Sequence, residues 1–546
     1  MKKNRTFIVA LVAYLLALVS CQSAKKTSTT STAEGLALGP KQGVYYSIFV
    51  RSFADSNGDG IGDFKGIISK LDYLNDGDDS TTDDLGITGI WLLPIFPSQS
   101  YHGYDVDDYY DVNPDYGSMV DFEELLAECK KRGISVIIDM TCNHSSVYTS
   151  WFSASRDPAD PHHSWYRWIG ENDSHYNYNQ VVWGHKLWNE DKKHKGNFYA
   201  GLFGDHMPDF NLDSPELRAE FKKVMKFWLN KGVAGFRYDA AGHVYNASKL
   251  PAGTEDSVRL AVDWWKEIVS YNKSVKADCF CVGEVWDVNS IRARYIEGLE
   301  SVFHFDMGDK YIIEEIRGND SGANSYANML EGDLARYKLS NPNYIDAPFL
   351  SNHDQPRAAG LLRTVENQKL AAAMYLLSEG VPFVYYGEEI GMKSGTSDPT
   401  KRTPMLWNKT LSSGIPKDKR QTTWASESDC IYNKKTLSVA EQAKDPSSLL
   451  NYYKRLIHLR TSTPALYNGK LTAVNLDAQG ISSWSMTCPD QKALVIHNLK
   501  KESVTFSLPE EFASFTPIFI SDEKTESVIS GTVTVPPLGT LVLAGK

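Results

Sequence analysis

The feature that most constrains this chain is an alternation beginning at Gly43: short apolar runs, each followed by a stretch whose apolar residues recur at helical spacing. The predicted strands are Val44–Val50, Gly89–Leu93, Ile134–Asp139, Val233–Tyr238, Phe280–Gly283, Val302–Phe305, Ala347–Leu350 and Val381–Tyr385. Helical period fills most of the gaps, as in Phe122–Lys131, Pro215–Asn230, Val258–Ser270 and Gln368–Leu377. Strands that are apolar on both faces need cover on both faces, which a parallel sheet wrapped in helices supplies. Eight such units predict an α/β fold, a (β/α)8 TIM barrel, although a doubly wound sheet gives the same local pattern.

The rhythm breaks twice. Between the third strand and the helix at Pro215 lie roughly 70 residues rich in Trp, Tyr, His and Asn, too long and too aromatic for a structureless loop. After a predicted helix at Leu449–Arg460 the pattern becomes period two, as in Ser482–Met486, Lys492–Asn498 and Thr532–Val535. The barrel is therefore assigned to 41–139 and 208–462. An inserted subdomain takes 140–207, and a C-terminal antiparallel β-sandwich takes 463–546.

A net charge of −11 over 546 residues leaves no basic footprint for nucleic acid. No Gly-rich phosphate loop, zinc spacing or dinucleotide fingerprint is present, so phosphoryl and redox chemistry find no support. The acidic run Asp76–Asp84 reads as a solvated loop. Seven cysteines follow no pairing pattern. Cys279 and Cys281 share a strand face but stand too far apart to bridge easily, and Cys129, Cys142, Cys430 and Cys488 read as buried small hydrophobes. No disulfide framework is predicted.

At the N-terminus, Lys2, Lys3 and Arg5 precede an apolar run from Phe7 to Val19 that is too short to span a bilayer. Residues 1–20 read as an export signal. Leu18-Val19-Ser20-Cys21 resembles the lipobox of bacterial lipoproteins, which implies lipidation at Cys21; an ordinary cleaved signal is the alternative. A Ser/Thr/Lys-rich stretch, 21–40, reads as a disordered tether. The expectation is an exported lipoprotein of the cell envelope, on the outer membrane or cell surface.

Active sites of such barrels gather at the C-terminal ends of the strands. The third strand ends Asp139-Met140-Thr141-Cys142-Asn143-His144, the fourth Arg237-Tyr238-Asp239, the fifth Gly283-Glu284, and the seventh Asn352-His353-Asp354. Arg237 and Asp239 alternate to the same side of one strand, where the guanidinium is expected to keep the carboxylate ionised and nucleophilic. Glu284 would need the opposite state, protonated, to serve as general acid. Singly, each acid is as well explained by a structural pair or a polar rim. Three on one barrel mouth are not.

These clusters, in this order, resemble the signature regions of the α-amylase superfamily, glycoside hydrolase family 13. Met207-Pro208-Asp209-Phe210-Asn211-Leu212-Asp213 resembles a fifth. The resemblance covers nearly the whole chain from Gly43. It implies Asp239 as nucleophile, Glu284 as acid/base and Asp354 as transition-state stabiliser. It also implies retention of configuration, with Asp239 and Glu284 about 5–5.5 Å apart. Tyr104, His144, Arg237, His353 and Arg357 resemble the residues around the cleaved glucose. The activity implied is endo-acting cleavage of α-1,4 bonds in starch, maltodextrin and related α-glucans. A neopullulanase, α-1,6-glucosidase or glucanotransferase of the same fold is the alternative, and a non-catalytic starch-binding protein a remote one. Ala240 after the nucleophile leans toward α-1,4 bonds. Met207 and Asn211 resemble the group between oligo-1,6-glucosidases and neopullulanases. Gly242 departs from the family by standing where α-amylases often carry a substrate-binding Lys. Other starch-binding proteins are candidate partners.

Asp55, Asn57, Asp59, Ile61 and Asp63 place oxygens at alternate positions around glycines, like the first half of an EF-hand loop. The twelfth position is Gly66, so it is not an EF-hand. Related amylases hold a structural Ca2+ in such a loop, and the resemblance implies Ca2+ here. Asn143 and Asp209 match a second calcium site of α-amylases.

Overall fold

The computed structural model describes residues 38–545 except 172, 175, 246–254, 319–324, 410–420, 525–527 and 530. The predicted signal, Cys21 and most of the tether lie outside the described residues. Eight parallel strands are spaced along the chain: β1 (Tyr45–Ile48), β2 (Gly89–Leu92), β3 (Ser135–Thr141), β4 (Gly235–Asp239), β5 (Phe280–Gly283), β6 (Ser301–Phe303), β7 (Ile345–Ala347) and β8 (Phe383–Tyr385). They lie in the order β7-β6-β5-β4-β3-β2-β1-β8, and a parallel bridge between Phe349 and Phe383 closes the ring. Sequential neighbours and closure make this a TIM barrel, not a doubly wound sheet. Its interior is filled by aromatic rings: Tyr45 packs on Phe280 and Phe383, and Phe303 on Trp91 and Phe383, at centroid distances of 5.0–5.6 Å. Gly89 makes room for this, since a Cβ there would meet the Tyr45 ring at 2.5 Å.

Helix Pro215–Lys231 shows how sequence sets an element of the outer ring. Ser214 accepts a hydrogen bond from Leu217 N at its start, Pro215 supplies a ready-made φ, and Gly232, at φ 112, ends it in the left-handed region. Leu217, Phe221, Val224, Met225, Trp228 and Leu229 form its buried stripe.

The segment between β3 and this helix folds as a small β unit. Strands Trp168–Gly170, Asn197–Ala200 and Trp188–Glu190 make a three-stranded antiparallel sheet, and Val181–Val182 pairs with His185–Lys186. Its own core is Ile169, Leu187, Trp188, Ala200 and Leu202.

After helices Leu449–Ser462 and Pro464–Asn468, the chain builds a five-stranded antiparallel sheet faced by a three-stranded one. Strand Gln491–Asn498 reads out the period-two pattern physically. Ala493 and Val495 join the barrel's core, whereas Leu494 and Ile496 join a separate core with Val533, Val535, Leu541 and Leu543. One strand thus welds the sandwich to the barrel.

The six cysteines of the described residues are free; Cys488 is half-buried, not buried as expected. The acidic run is only partly a solvated loop. Asp84 is buried, accepting from Gly86 N at 2.6 Å and pairing with His458 at 2.9 Å, which ties the run to helix Leu449–Ser462. Among the described residues no helix is long and apolar enough to cross a membrane.

Candidate active site

The ends of β3 and β4 lie in register, with Asp139 beside Arg237. Arg237 is buried, and its guanidinium is the hub of the barrel mouth. Nη1 donates to Asp139 Oδ1 at 2.7 Å and to Asp239 Oδ1 at 2.6 Å; Nη2 donates to Glu284 Oε2 at 2.6 Å. The same cation sits over the Trp91 and Tyr104 rings, 5.2 and 5.8 Å from their centroids. Beyond Asp239 the backbone turns through Ala240 at φ 46, a strained conformation for a residue with a Cβ. That turn aims Ala240 N at Glu284 Oε2, 3.0 Å away. Asp239 and Glu284 are therefore clamped through one oxygen each. Among the described residues no donor engages Asp239 Oδ2 or Glu284 Oε1.

Asp354 completes the set from the loop after β7. Arg402 Nη2 donates to its Oδ1 at 2.8 Å, and His353 Nε2 lies 3.0 Å from its Oδ2. His353 Nε2 also shares a 2.6 Å hydrogen bond with Tyr104 Oη, and the two rings stack. Asp239, Glu284 and Asp354 open onto one cavity of about 540 Å3, lined also by Tyr104, His144, Arg402, Trp183, Phe203, Met207, His243 and Trp286.

Burial pushes the Asp239 carboxyl up to about 7; Arg237 opposes this, and Asp139 adds to it. Burial likewise raises Glu284, against Arg237 and with Asp239, and lifts Asp139 to about 6. The expectation that Arg237 alone would hold Asp239 low is thus corrected: one guanidinium is divided among three buried carboxylates, so the cluster retains a proton near neutrality. Asp354 is the opposite case. Burial raises it, but the His353 ring and the Arg402 guanidinium outweigh that and hold it well below the usual carboxylate range. Burial keeps the histidines uncharged, with His144 lowered to about 3 and His243 to about 4. They can exchange hydrogen bonds without carrying charge, and among the described residues His144 Nε2 is buried with no partner.

The structure thus brings together Asp239, Glu284, Asp354, Tyr104 and His144 at one cavity, with Arg237 beneath the acids and His353 buried behind Tyr104 and Asp354. Arg357 is not among them. Its guanidinium turns away, donating to Lys401 O at 3.0 Å and Tyr386 O at 2.6 Å beneath two tyrosine rings. Arg402 stands at the cavity in its place. Sequence reasoning passed over Arg402, Trp183 and Phe203, which sit at a helix end, a hairpin tip and a loop that no strand or helix period marks. It quoted Asp139 without giving it a role, although its place on a neighbouring strand end was a usable signal.

The two predicted calcium sites are held in different ways. In the first, Asp55 accepts from Asn57, Gly58 and Gly60 N–H groups at 2.6–3.0 Å, and Asp63 caps helix Phe64–Ile68. Gly58 and Gly60, at φ 87 and 93, curl the loop so that Asn57, Asp59 and Ile61 follow at alternate positions. Carboxylate, amide and carbonyl oxygens are the donor types a hard cation takes. Among the described residues no three His, Cys, Asp or Glu side chains converge as a metal cluster. A cation here would therefore draw on Asn57 Oδ1 and Ile61 O as much as on the acids. At the second, Asn143 turns its Nδ2, not its oxygen, to Asp209 at 3.3 Å, and Asp209 also accepts from Leu202 N. That pair ties insertion to barrel by a direct hydrogen bond.

A family model described as the alpha amylase catalytic domain matches residues 47–469, and one described as the alpha-amylase SusG C-terminal domain matches 481–542. The chain is 39% identical over 490 residues to Alpha-amylase 3 of Dictyoglomus thermophilum, covering 89% of this chain and 90% of that protein. It is 30% identical over 541 residues to an oligo-1,6-glucosidase of Parageobacillus thermoglucosidasius, with 86% and 92% covered. The crystal structure of an alpha-amylase from H. orenii superposes with a TM-score of 0.82 at 37% identity, covering 93% of this chain and 100% of that one. With the catalytic-domain match spanning most of its length, the protein is a glycosidase, a hydrolase of O-glycosidic bonds, and belongs to the alpha-amylase family.

Proposed function

We propose that this glycosidase is an endo-acting, retaining enzyme that cleaves α-1,4 bonds in starch, maltodextrin and related α-glucans. The observation that carries the reading is the clamp on Arg237. One guanidinium holds a nucleophile and an acid by one oxygen each and leaves their other oxygens to the cavity. In the first step Glu284, protonated, gives its proton to the glycosidic oxygen while Asp239 attacks the anomeric carbon, forming a glycosyl ester and releasing the leaving sugar. In the second, Glu284 as carboxylate takes a proton from water, whose oxygen attacks the same carbon and returns Asp239 as a carboxylate. Two inversions restore the α configuration. Asp354, held ionised, accepts hydrogen bonds from sugar hydroxyls as the ring flattens and positive charge develops on it.

The test is product analysis on amylose, pullulan and isomaltose. The reading expects short maltodextrins released early from amylose, first as the α anomer, with little cleavage of isomaltose. Rapid release of panose from pullulan, or glucose from isomaltose, would point to the α-1,6 and neopullulanase group. We further propose that Asp55, Asn57, Asp59, Asp63 and the Ile61 carbonyl hold a structural Ca2+, which would neutralise the loop's acids and stiffen it. We also propose that Cys21 carries a lipid anchor on an exported chain in the cell envelope, on the outer membrane or cell surface. Labelled fatty acid should enter the wild-type chain and not C21A.

A further inference from the structure

Trp183 has no account in the catalytic chemistry, and its placement is costly. Val181 pairs with Lys186 and Val182 with His185, so Trp183 and Gly184 are the two-residue tip of a hairpin. Both have positive φ, 49 and 88. Such a tip favours Asn, Asp or Gly first, because any larger side chain crowds the backbone in the left-handed region. Here the position holds a tryptophan that leaves 61% of its surface exposed. A strained backbone and an unburied indole both work against folding, and together they mark a residue kept for contact with something else.

The ring's neighbours say where that contact lies. Its centroid is 5.4 Å from Phe203 and 5.3 Å from His243, and Phe203 in turn packs 5.0 Å from His144. A ladder of rings thus climbs from the cavity floor to the hairpin tip. His243 belongs to the turn after the nucleophile, and the adjacent Gly242 N donates to Glu284 O at 3.3 Å. This flank is therefore the acid's side of the cavity. Since the acid protonates the departing oxygen, the leaving sugar sits here. Gly242 puts no side chain on this flank; even a Cβ there would meet only Val285, at 3.8 Å. The hairpin is held to the wall by His185 Nε2 on Leu202 O, at 2.7 Å.

We propose that Trp183 is the platform on which the departing sugar of the glucan stacks, and that it determines the enzyme's preference for substrates with a sugar leaving group. The inference rests on the double-displacement reading above. A sugar's C–H face lies flat on an exposed indole, gaining apolar burial without a hydrogen bond, which suits a subsite that must release its occupant.

The experiment compares kcat/KM for maltotetraose, which leaves a sugar, with that for α-maltosyl fluoride, which leaves only fluoride. In W183A the ratio of the two should fall about tenfold, the worth of one aromatic stacking contact, and W183F should largely restore it. A ratio in W183A within experimental error of the wild type overturns the proposal, as does a W183F variant as impaired as W183A. If the wild-type enzyme fails to turn over α-maltosyl fluoride, the double-displacement reading falls first, and the proposal with it.

Discussion

The cavity's floor and its wall are made of different material held by different means. On the floor, Asp239, Glu284 and Asp354 lie at or just beyond the ends of β4, β5 and β7 of one closed sheet, and two buried arginines fix their oxygens at 2.6–2.8 Å. On the wall, Trp183, Phe203 and Met207 come from the insertion, whose own core is five buried residues. Charge on a rigid frame does chemistry, because acids must be positioned to a fraction of an ångström. Apolar rings on a small unit with its own core do recognition, where adaptability is tolerable.

The sharpest way to break this division is to remove a floor acid. D239N or E284Q should lower kcat by about 10^4-fold, since each takes away the nucleophile or the proton donor itself. Both variants should keep the fold, because each is isosteric and adds no charge to a buried, crowded cluster. A loss below about tenfold would mean that the floor does not perform the chemistry assigned to it. On the wall, F203A should raise KM for maltodextrins about tenfold with kcat nearly kept; a collapse of kcat instead would make the wall part of the catalytic machinery.

A pH scan separates the two regions by stability. Burial raises the Asp239 carboxyl from its ordinary 3.8 to about 7, in a cluster that shares its proton with Glu284. Ionising it in the folded protein is therefore unfavourable, and its contribution to stability is present below about 4 and lost as the pH rises to about 7. The melting temperature of D239N should fall less over that window than the wild type's, while F203A should run parallel to the wild type. The smallest expected effect lies outside both regions. Chelation should lower Tm by a few degrees, about 1–2 kcal/mol of bound-cation stabilisation, and D55N should abolish that response. An unchanged melt in wild type would leave the Asp55–Asp63 loop as a plain turn.

How much of this was legible in the sequence follows the same line. All eight barrel strands could be read, because strands buried on both faces are continuous apolar runs and their C-terminal ends mark the site. Asp239, Glu284 and Asp354 were found for that reason. Arg357 misled because nearness in sequence to Asp354 says nothing about direction. It is the N-cap residue of helix Ala358–Leu362, at φ −61 and ψ 133, and its side chain is drawn off to Tyr386 and Lys401 carbonyls. Arg402 was missed for the converse reason, reaching back to Asp354 from 48 residues further along the chain, beyond β8. The wall was seen only as an aromatic-rich stretch, since no periodicity fixes where a hairpin tip will point. The direction in which Asp239 is shifted was also missed, because a neighbouring arginine is visible in sequence and burial is not.

The most direct measurement is to trap the reaction halfway. A 5-fluoro-substituted α-glycosyl fluoride, whose glycosyl-enzyme hydrolyses slowly, can be incubated with the enzyme and the adduct mapped by peptide mass spectrometry. A single sugar ester on Asp239 is the predicted result. An ester on Glu284 or Asp354, or a hydrolysis product released first as the β anomer, would contradict the assignment of the floor.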